Sequence, residues 1–153
     1  MTELTTAQHL TFTIERDYSA TPAKVFRAFA DPGAKRTWFA GPPGQWTELE
    51  RSFDFRVGGR ERARGGWPDG STSDFQATYL DIVEDARIIY AYDMYVNDRK
   101  ISVSLATIEL HAGANGTRLT FTEQAAFLDG YSTPEDREAG TRQLLEQLGR
   151  YLQ

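Results

Sequence analysis

The sequence predicts an α+β domain: a first strand, two short helices, a long antiparallel meander and a long C-terminal helix. Three observations carry this. Apolar residues recur at every second position in several stretches between Trp46 and Gln124, with β-branched and aromatic side chains over-represented. The connections between those stretches are too short to cross over, so neighbouring strands must run antiparallel. Helical spacing appears only around Pro22–Phe39 and again after Ser132. A sheet of this size with so little helix to fill it tends to enclose a cavity.

In chain order, Leu10-Thr11-Phe12-Thr13-Ile14-Glu15-Arg16 alternates and predicts a first strand. Thr21 then offers an N-cap with Pro22 at the first helical position, and Val25, Phe26 and Phe29 fall on one helical face. Asp31-Pro32 restarts a second short helix ending at Trp38-Phe39. Gly41-Pro42-Pro43-Gly44 reads as a loop. Trp46 to Val57 gives two strand-like stretches, the second being Phe53, Phe55 and Val57 at period two, closed by Gly58-Gly59. Arg60–Arg64 follows as a strand, and Trp67-Pro68-Asp69-Gly70 is turn chemistry. Four more strands are predicted over Phe75–Val83, Arg87–Tyr95, Lys100–Leu110 and Thr117–Gln124. Ser132-Thr133-Pro134-Glu135 opens the last helix, whose apolar stripe is Leu144, Leu145, Leu148, Tyr151 and Leu152.

Composition excludes several functions. The chain has 153 residues, which suits a single domain over 1–153. A net charge of −5 with scattered basic residues argues against a nucleic-acid face. Without cysteine there are no disulfides, thiolate metal sites or thiol nucleophiles. His9 and His111 are isolated, so no metal site and no serine triad is expected, and no cofactor is implied. Gly58-Gly59 lacks the strand-to-helix context of a phosphate-binding loop. The first ten residues show no leader pattern and no segment is long and apolar enough for membrane insertion, so a cytoplasmic protein is the expectation.

Five stretches together resemble one known family: "ATPAKVFRAFADP" followed by Trp38-Phe39, "FRVGGR" at Phe55–Arg60, "PDG" at Pro68–Gly70, "YLDIVEDARIIYAYDM" at Tyr79–Met94, and "GTRLTFTEQAAFLDG" at Gly116–Gly130. In this order they are similar to bacterial members of the START-like, SRPBCC superfamily, in the group resembling the C-terminal domain of the activator of Hsp90 ATPase. The resemblance implies a helix-grip (START-like, Bet v 1-like) fold, a curved antiparallel sheet wrapped around the long C-terminal helix with a hydrophobic ligand cavity between them. It implies no single activity, since relatives bind lipids or hormones, cyclise polyketides, or assist a chaperone.

Strand parity assigns the faces. Glu123 shares its phase with Leu119 and Phe121, and Glu61 shares its phase with Ala63, so both carboxylates point inward or to the rim. The resemblance leads one to expect an apolar residue where Glu61 stands. An inward carboxylate needs a partner or stays protonated, and such a group can act as an acid/base or as an anchor. The structural alternative is that arginines such as Arg16 or Arg51 satisfy both. Ile88, Tyr90, Tyr92 and Met94 share the concave phase, whereas Ser102 and Ser104, alternating with Val103 and Leu105, face either outward or the ligand, with the outward reading preferred. Aromatics in strand phase serve the core first, yet some must line a cavity. The candidate ligand-binding set is Trp38, Phe39, Phe53, Phe55, Glu61, Tyr79, Tyr90, Tyr92, Met94, Phe121, Glu123, Leu144, Leu145 and Leu148. Arg60, Arg62 and Arg64 read as a water-facing comb that blunts an edge strand, or as a dock for an acidic partner.

The expected function is binding of a small hydrophobic or aromatic molecule without covalent catalysis. One alternative is a cyclase or aromatase-like enzyme using Glu61 or Glu123 as acid/base, and another is a partner of an Hsp90-type chaperone. Edge strands leave homodimerisation open.

Overall fold

The computed structural model describes residues 5–153, and the first four residues, part of the segment without a leader pattern, lie outside the described residues. The elements are β1 (Ala7–Tyr18), α1 (Pro22–Ala30), α2 (Pro32–Trp38), β2 (Thr47–Phe53), β3 (Arg60–Gly66), β4 (Thr72–Val83), β5 (Arg87–Val96), β6 (Arg99–Gly113), β7 (Gly116–Leu128) and α3 (Pro134–Leu152). Each helix starts on the chemistry that its sequence offers. Thr21, Asp31 and Thr133 accept hydrogen bonds from the backbone N–H groups of Lys24, Ala34 and Asp136, and a proline follows each cap. No helix among the described residues is long and apolar enough to cross a membrane.

The strands form one antiparallel sheet in the order β1-β7-β6-β5-β4-β3-β2. Cross-strand register arranges its concave face in rows. One apolar row runs Ile14, Phe121, Ile108, Ile88 and Ile82 from β1 to β4. The next runs Phe12, Glu123, Ala106, Tyr90 and Tyr79. A third runs Ala125, Ser104, Tyr92, Ala77, Glu61 and Phe53. The α3 helix presents Leu145, Leu148 and Leu152, all buried, to the core, while Tyr151 of the predicted stripe is exposed. The Tyr18 hydroxyl donates to the Leu145 carbonyl (2.7 Å), and the Gln147 amide donates to the carbonyls of Trp38 (2.7 Å) and Ala40 (3.0 Å). These bonds fix the helix against β1 and the end of α2.

Two local expectations are corrected. The strand predicted through Phe55 and Val57 stops at Phe53, because Gly58, at φ 84°, turns the chain back onto β4. There the Gly58 N–H donates to the Tyr79 carbonyl (2.8 Å), and the Tyr79 N–H donates to the Gly59 carbonyl (3.0 Å). Phe55 packs its ring on Tyr79 and Phe26, with centroids 5.0 and 5.7 Å apart, while Val57 is exposed. Three alternating residues are too few to separate a strand from a folded loop. The arginine comb lies on β3, an inner strand, so it blunts no edge. Arg62 instead binds Asp74 through two hydrogen bonds (3.1 and 2.8 Å) and pairs with Glu50 (3.0 Å), and Arg64 pairs with Asp98 (2.9 Å).

Candidate functional site

Between the concave face and α3 lies a cavity of about 560 Å³. The sheet contributes Ala63, Phe75, Tyr90, Tyr92, Met94, Phe121 and Glu123. From α2 and the loop after it come Lys35, Trp38, Phe39 and Trp46, and from α3 come Arg137, Thr141, Leu144 and Leu145. All three tryptophans of the chain, Trp38, Trp46 and Trp67, stand in this wall. The lining includes the exposed residues Asp136, Gly140 and Gln143 of α3, which mark its mouth.

One polar cluster sits in the wall itself. Glu123 is completely buried, and its Oε2 accepts from the Tyr92 hydroxyl (2.8 Å), the Ser104 hydroxyl (2.8 Å) and Arg137 Nη1 (3.1 Å). Arg137 also donates from Nη2 to Ser102 Oγ (2.6 Å), and its guanidinium lies over the rings of Phe127 and Tyr92 at 5.3 and 5.5 Å. Burial alone would lower the Arg137 pKa, but the neighbouring Tyr92 and Glu123 outweigh it and hold the group firmly charged. Burial, and then the Glu123 charge, push the Tyr92 phenol upward, so it stays a donor.

A second cluster lies deeper. Glu61 Oε1 accepts from Lys35 Nζ (2.9 Å) and from the Tyr79 hydroxyl (2.5 Å). The ammonium is boxed by Phe39, Phe53, Trp38 and Phe29, 4.5 to 6.0 Å from their centroids. Burial, followed by the Glu61 charge, raises the Tyr79 phenol far above its ordinary range. Lys35 reaches the cavity wall, and Glu61 and Tyr79 stand behind it.

Each inward carboxylate thus has a buried cation, but neither uses the arginines that the sequence suggested. Arg51 binds Glu48 (2.6 Å) and the Phe39 carbonyl (2.9 Å), and Arg16 contacts neither carboxylate. The serines assigned outward are in fact buried on the concave side, because β6 keeps the phase of Ala106, Ile108 and Leu110 through to Ser102. That continued alternation was the signal for them. Arg137 stands four and eight residues before Thr141 and Leu145, so its place on the buried face of α3 follows from helical spacing. Lys35 lies between the buried Ala34 and Trp38 positions of α2 in the same way.

Of the candidate residues, Trp38, Phe39, Tyr90, Tyr92, Met94, Phe121, Glu123, Leu144 and Leu145 line the cavity. Phe53, Phe55 and Tyr79 gather around Glu61 outside it, and Leu148 is wholly in the core. His9 and His111 are exposed, and no group of His, Asp or Glu among the described residues has the arrangement of a metal site.

A seven-stranded antiparallel sheet gripping a C-terminal helix over such a cavity defines a helix-grip protein of the START-like, SRPBCC type. Within that class the chain belongs to the family described as Activator of Hsp90 ATPase homolog 1-like protein, whose model matches residues 19–153. It is 45% identical to a protein from Rhizobium leguminosarum of known structure, with a TM-score of 0.93 and 97% of each chain covered. A crystal structure from Rhizobium loti shows 45% identity and a TM-score of 0.88, covering 95% of this chain and 99% of that one. The solution structure of the AHSA1-like protein from Aeromonas hydrophila shares the fold at 22% identity, with a TM-score of 0.70 over 94% of this chain and 92% of the other. No curated protein matches the sequence.

Proposed function

We propose that this protein binds a small, mostly hydrophobic molecule in the cavity between sheet and α3, and holds or carries it without covalent chemistry. The observation that carries the reading is the cavity of about 560 Å³ walled by aromatic side chains, within the range of small-molecule sites of roughly 300–1,000 Å³. Polar groups are few and clustered, which is how such sites orient a ligand whose affinity comes mainly from apolar burial. The wall holds no thiol, and the Ser102 and Ser104 hydroxyls of its polar cluster are engaged by Arg137 and Glu123. Both carboxylates are committed to cations, as befits anchors.

Native mass spectrometry of the protein after incubation with lipid and aromatic-metabolite pools tests this. The expected result is a stoichiometric adduct that is released on denaturation. Leu144→Trp, which puts an indole into the cavity, should abolish the adduct without unfolding the protein. Absence of any adduct across the pools, or an adduct that survives Leu144→Trp, overturns the reading.

A further inference from the structure

Glu61 Oε2, Glu123 Oε1 and the Tyr90 hydroxyl of the concave face lack partners among the described residues; Glu61 Oε2 lies behind Lys35, outside the cavity lining, while the other two are near neighbours on the sheet and belong to residues that line the cavity. Glu123 Oε1 is buried and has no hydrogen-bond partner among the described residues, although Oε2 of the same carboxylate takes three donors. The Tyr90 hydroxyl also has no partner among the described residues, and its side chain lines the cavity. In register, Tyr90 lies opposite Ala106 and Ala106 opposite Glu123, so only an alanine separates them on the concave face. A buried acceptor left unbonded carries its full desolvation cost, and a carboxylate oxygen carries more of it than a neutral one.

The buried charges around the cavity are already balanced, and the further carboxylate of its lining, Asp136, stands exposed at the mouth. Glu123 is matched by Arg137 and Glu61 by Lys35. A charged ligand would add an uncompensated charge to a low-dielectric wall, whereas a neutral one would not. The wall is aromatic on several sides, with Phe75 and Tyr92 rings 4.7 Å apart and Phe39 and Phe75 rings 5.0 Å apart. A flat π-system fits such surfaces by stacked or edge-on contacts.

Resting on the cavity-binding reading, we propose that the ligand is a neutral, planar aromatic molecule whose polar edge donates an O–H or N–H to Glu123 Oε1 and accepts from the Tyr90 hydroxyl. A phenol does both with one oxygen, and a primary amide does both with two atoms. Burial, with Tyr92 and the two carboxylates nearby, keeps the Tyr90 phenol protonated and therefore able to donate.

Isothermal titration calorimetry with naphthalene, 2-naphthol, 2-methoxynaphthalene and 2-naphthoate separates these features. The expected order is 2-naphthol tightest, about tenfold or more ahead of 2-methoxynaphthalene, as a hydrogen bond to a charged group implies. The anion 2-naphthoate should bind no better than naphthalene. Glu123→Gln turns an acceptor into an amide that can donate, so it should erase or invert the preference for 2-naphthol. Tyr90→Phe should reduce that preference only in part, and the wild-type series decides the matter alone if Glu123→Gln fails to fold. Equal affinities for 2-naphthol and 2-methoxynaphthalene, a preference for 2-naphthoate, or a folded Glu123→Gln protein with the wild-type order each overturn the donor assignment while leaving the cavity reading standing. No binding by any probe, together with no adduct in native mass spectrometry, overturns the cavity reading and this proposal with it.

Discussion

Glu123 on β7 and Arg137 on α3 meet at 3.1 Å in the cavity wall, tying the gripping sheet to the gripped helix with a buried ion pair. The side chains are 0% and 11% exposed, so solvent screens the pair little. Forming it required desolvating both groups, and much of that cost is offset by the bonds from Tyr92 and Ser104 to the carboxylate and from the guanidinium to Ser102. Removing one partner forfeits the compensation. Arg137→Met should therefore lower stability by about 3–5 kcal/mol. The double variant Arg137→Met/Glu123→Met should be less destabilised than the sum of the single changes. Urea unfolding of the four proteins gives the coupling, and additive effects would show that the pair does not act as a unit.

Lys35 and Glu61 should behave alike, for the same reason. The pair is 5% and 1% exposed at its side chains and encased by aromatic rings. Glu61→Gln leaves the ammonium buried without a counter-charge and should cost about 3–5 kcal/mol. Lys35→Met leaves a buried carboxylate without its cation and should cost about as much, whereas the double variant Lys35→Met/Glu61→Leu should cost less than the two single changes together. Urea unfolding of these variants checks this. Additive costs would show that the two groups do not act as a pair.

Much of this arrangement was legible in the sequence, and the gaps have physical causes. The parity of Glu123 with Leu119 and Phe121, and of Glu61 with Ala63, suffices to place both carboxylates on the concave face, because pleating allows only two sides. Helical spacing puts Lys35 and Arg137 on buried helix faces, but which carboxylate each one meets was not legible, since α2 and α3 approach the sheet only in the tertiary fold. Ser102 and Ser104 were misassigned because Val103 and Leu105 are the more apolar neighbours. Val103 is nevertheless 40% exposed, and the serines face in to solvate an ion pair. The Phe53–Gly59 run misled in the opposite direction. Its double glycine serves a loop folded onto Tyr79 rather than the end of a strand.

Alkaline pH should unfold the protein through its tyrosines. Burial raises the phenol pKa of Tyr18, Tyr79, Tyr90 and Tyr92 above the ordinary value of 10.0. Well below pH 10 both folded and unfolded chains keep these protons, so the stabilisation is fully present. Above it the unfolded chain releases protons that the folded chain retains, and stability falls as pH rises, by up to about 1.4 kcal/mol per pH unit for each of Tyr79, Tyr90 and Tyr92. Denaturant midpoints at pH 8, 10 and 11 should decline a little over the lower interval and steeply over the upper one. Absorbance at 295 nm should show four of the seven tyrosines ionising in step with loss of the far-UV signal. Ionisation of all seven before that loss would contradict the buried placement.

Two glycines, Gly65 behind the cavity wall and Gly140 at its mouth, should respond oppositely to the same methyl group. Gly65 on β3 is buried against the Trp46 indole, and a Cβ there would overlap the indole ring. Trp46 in turn lines the cavity and donates from Nε1 to Ser73 Oγ (3.3 Å). Gly65→Ala must therefore displace the indole, at about 1–3 kcal/mol for overpacking, and reshape the cavity wall. Gly140 in α3 has open space where its Cβ would stand, and its helical position favours alanine by about 1 kcal/mol. Gly140→Ala should raise the thermal midpoint, while Gly65→Ala should lower it and shift the tryptophan emission to longer wavelength as the indole is expelled. If Gly65→Ala leaves both the midpoint and the emission unchanged, the indole does not rest on that strand.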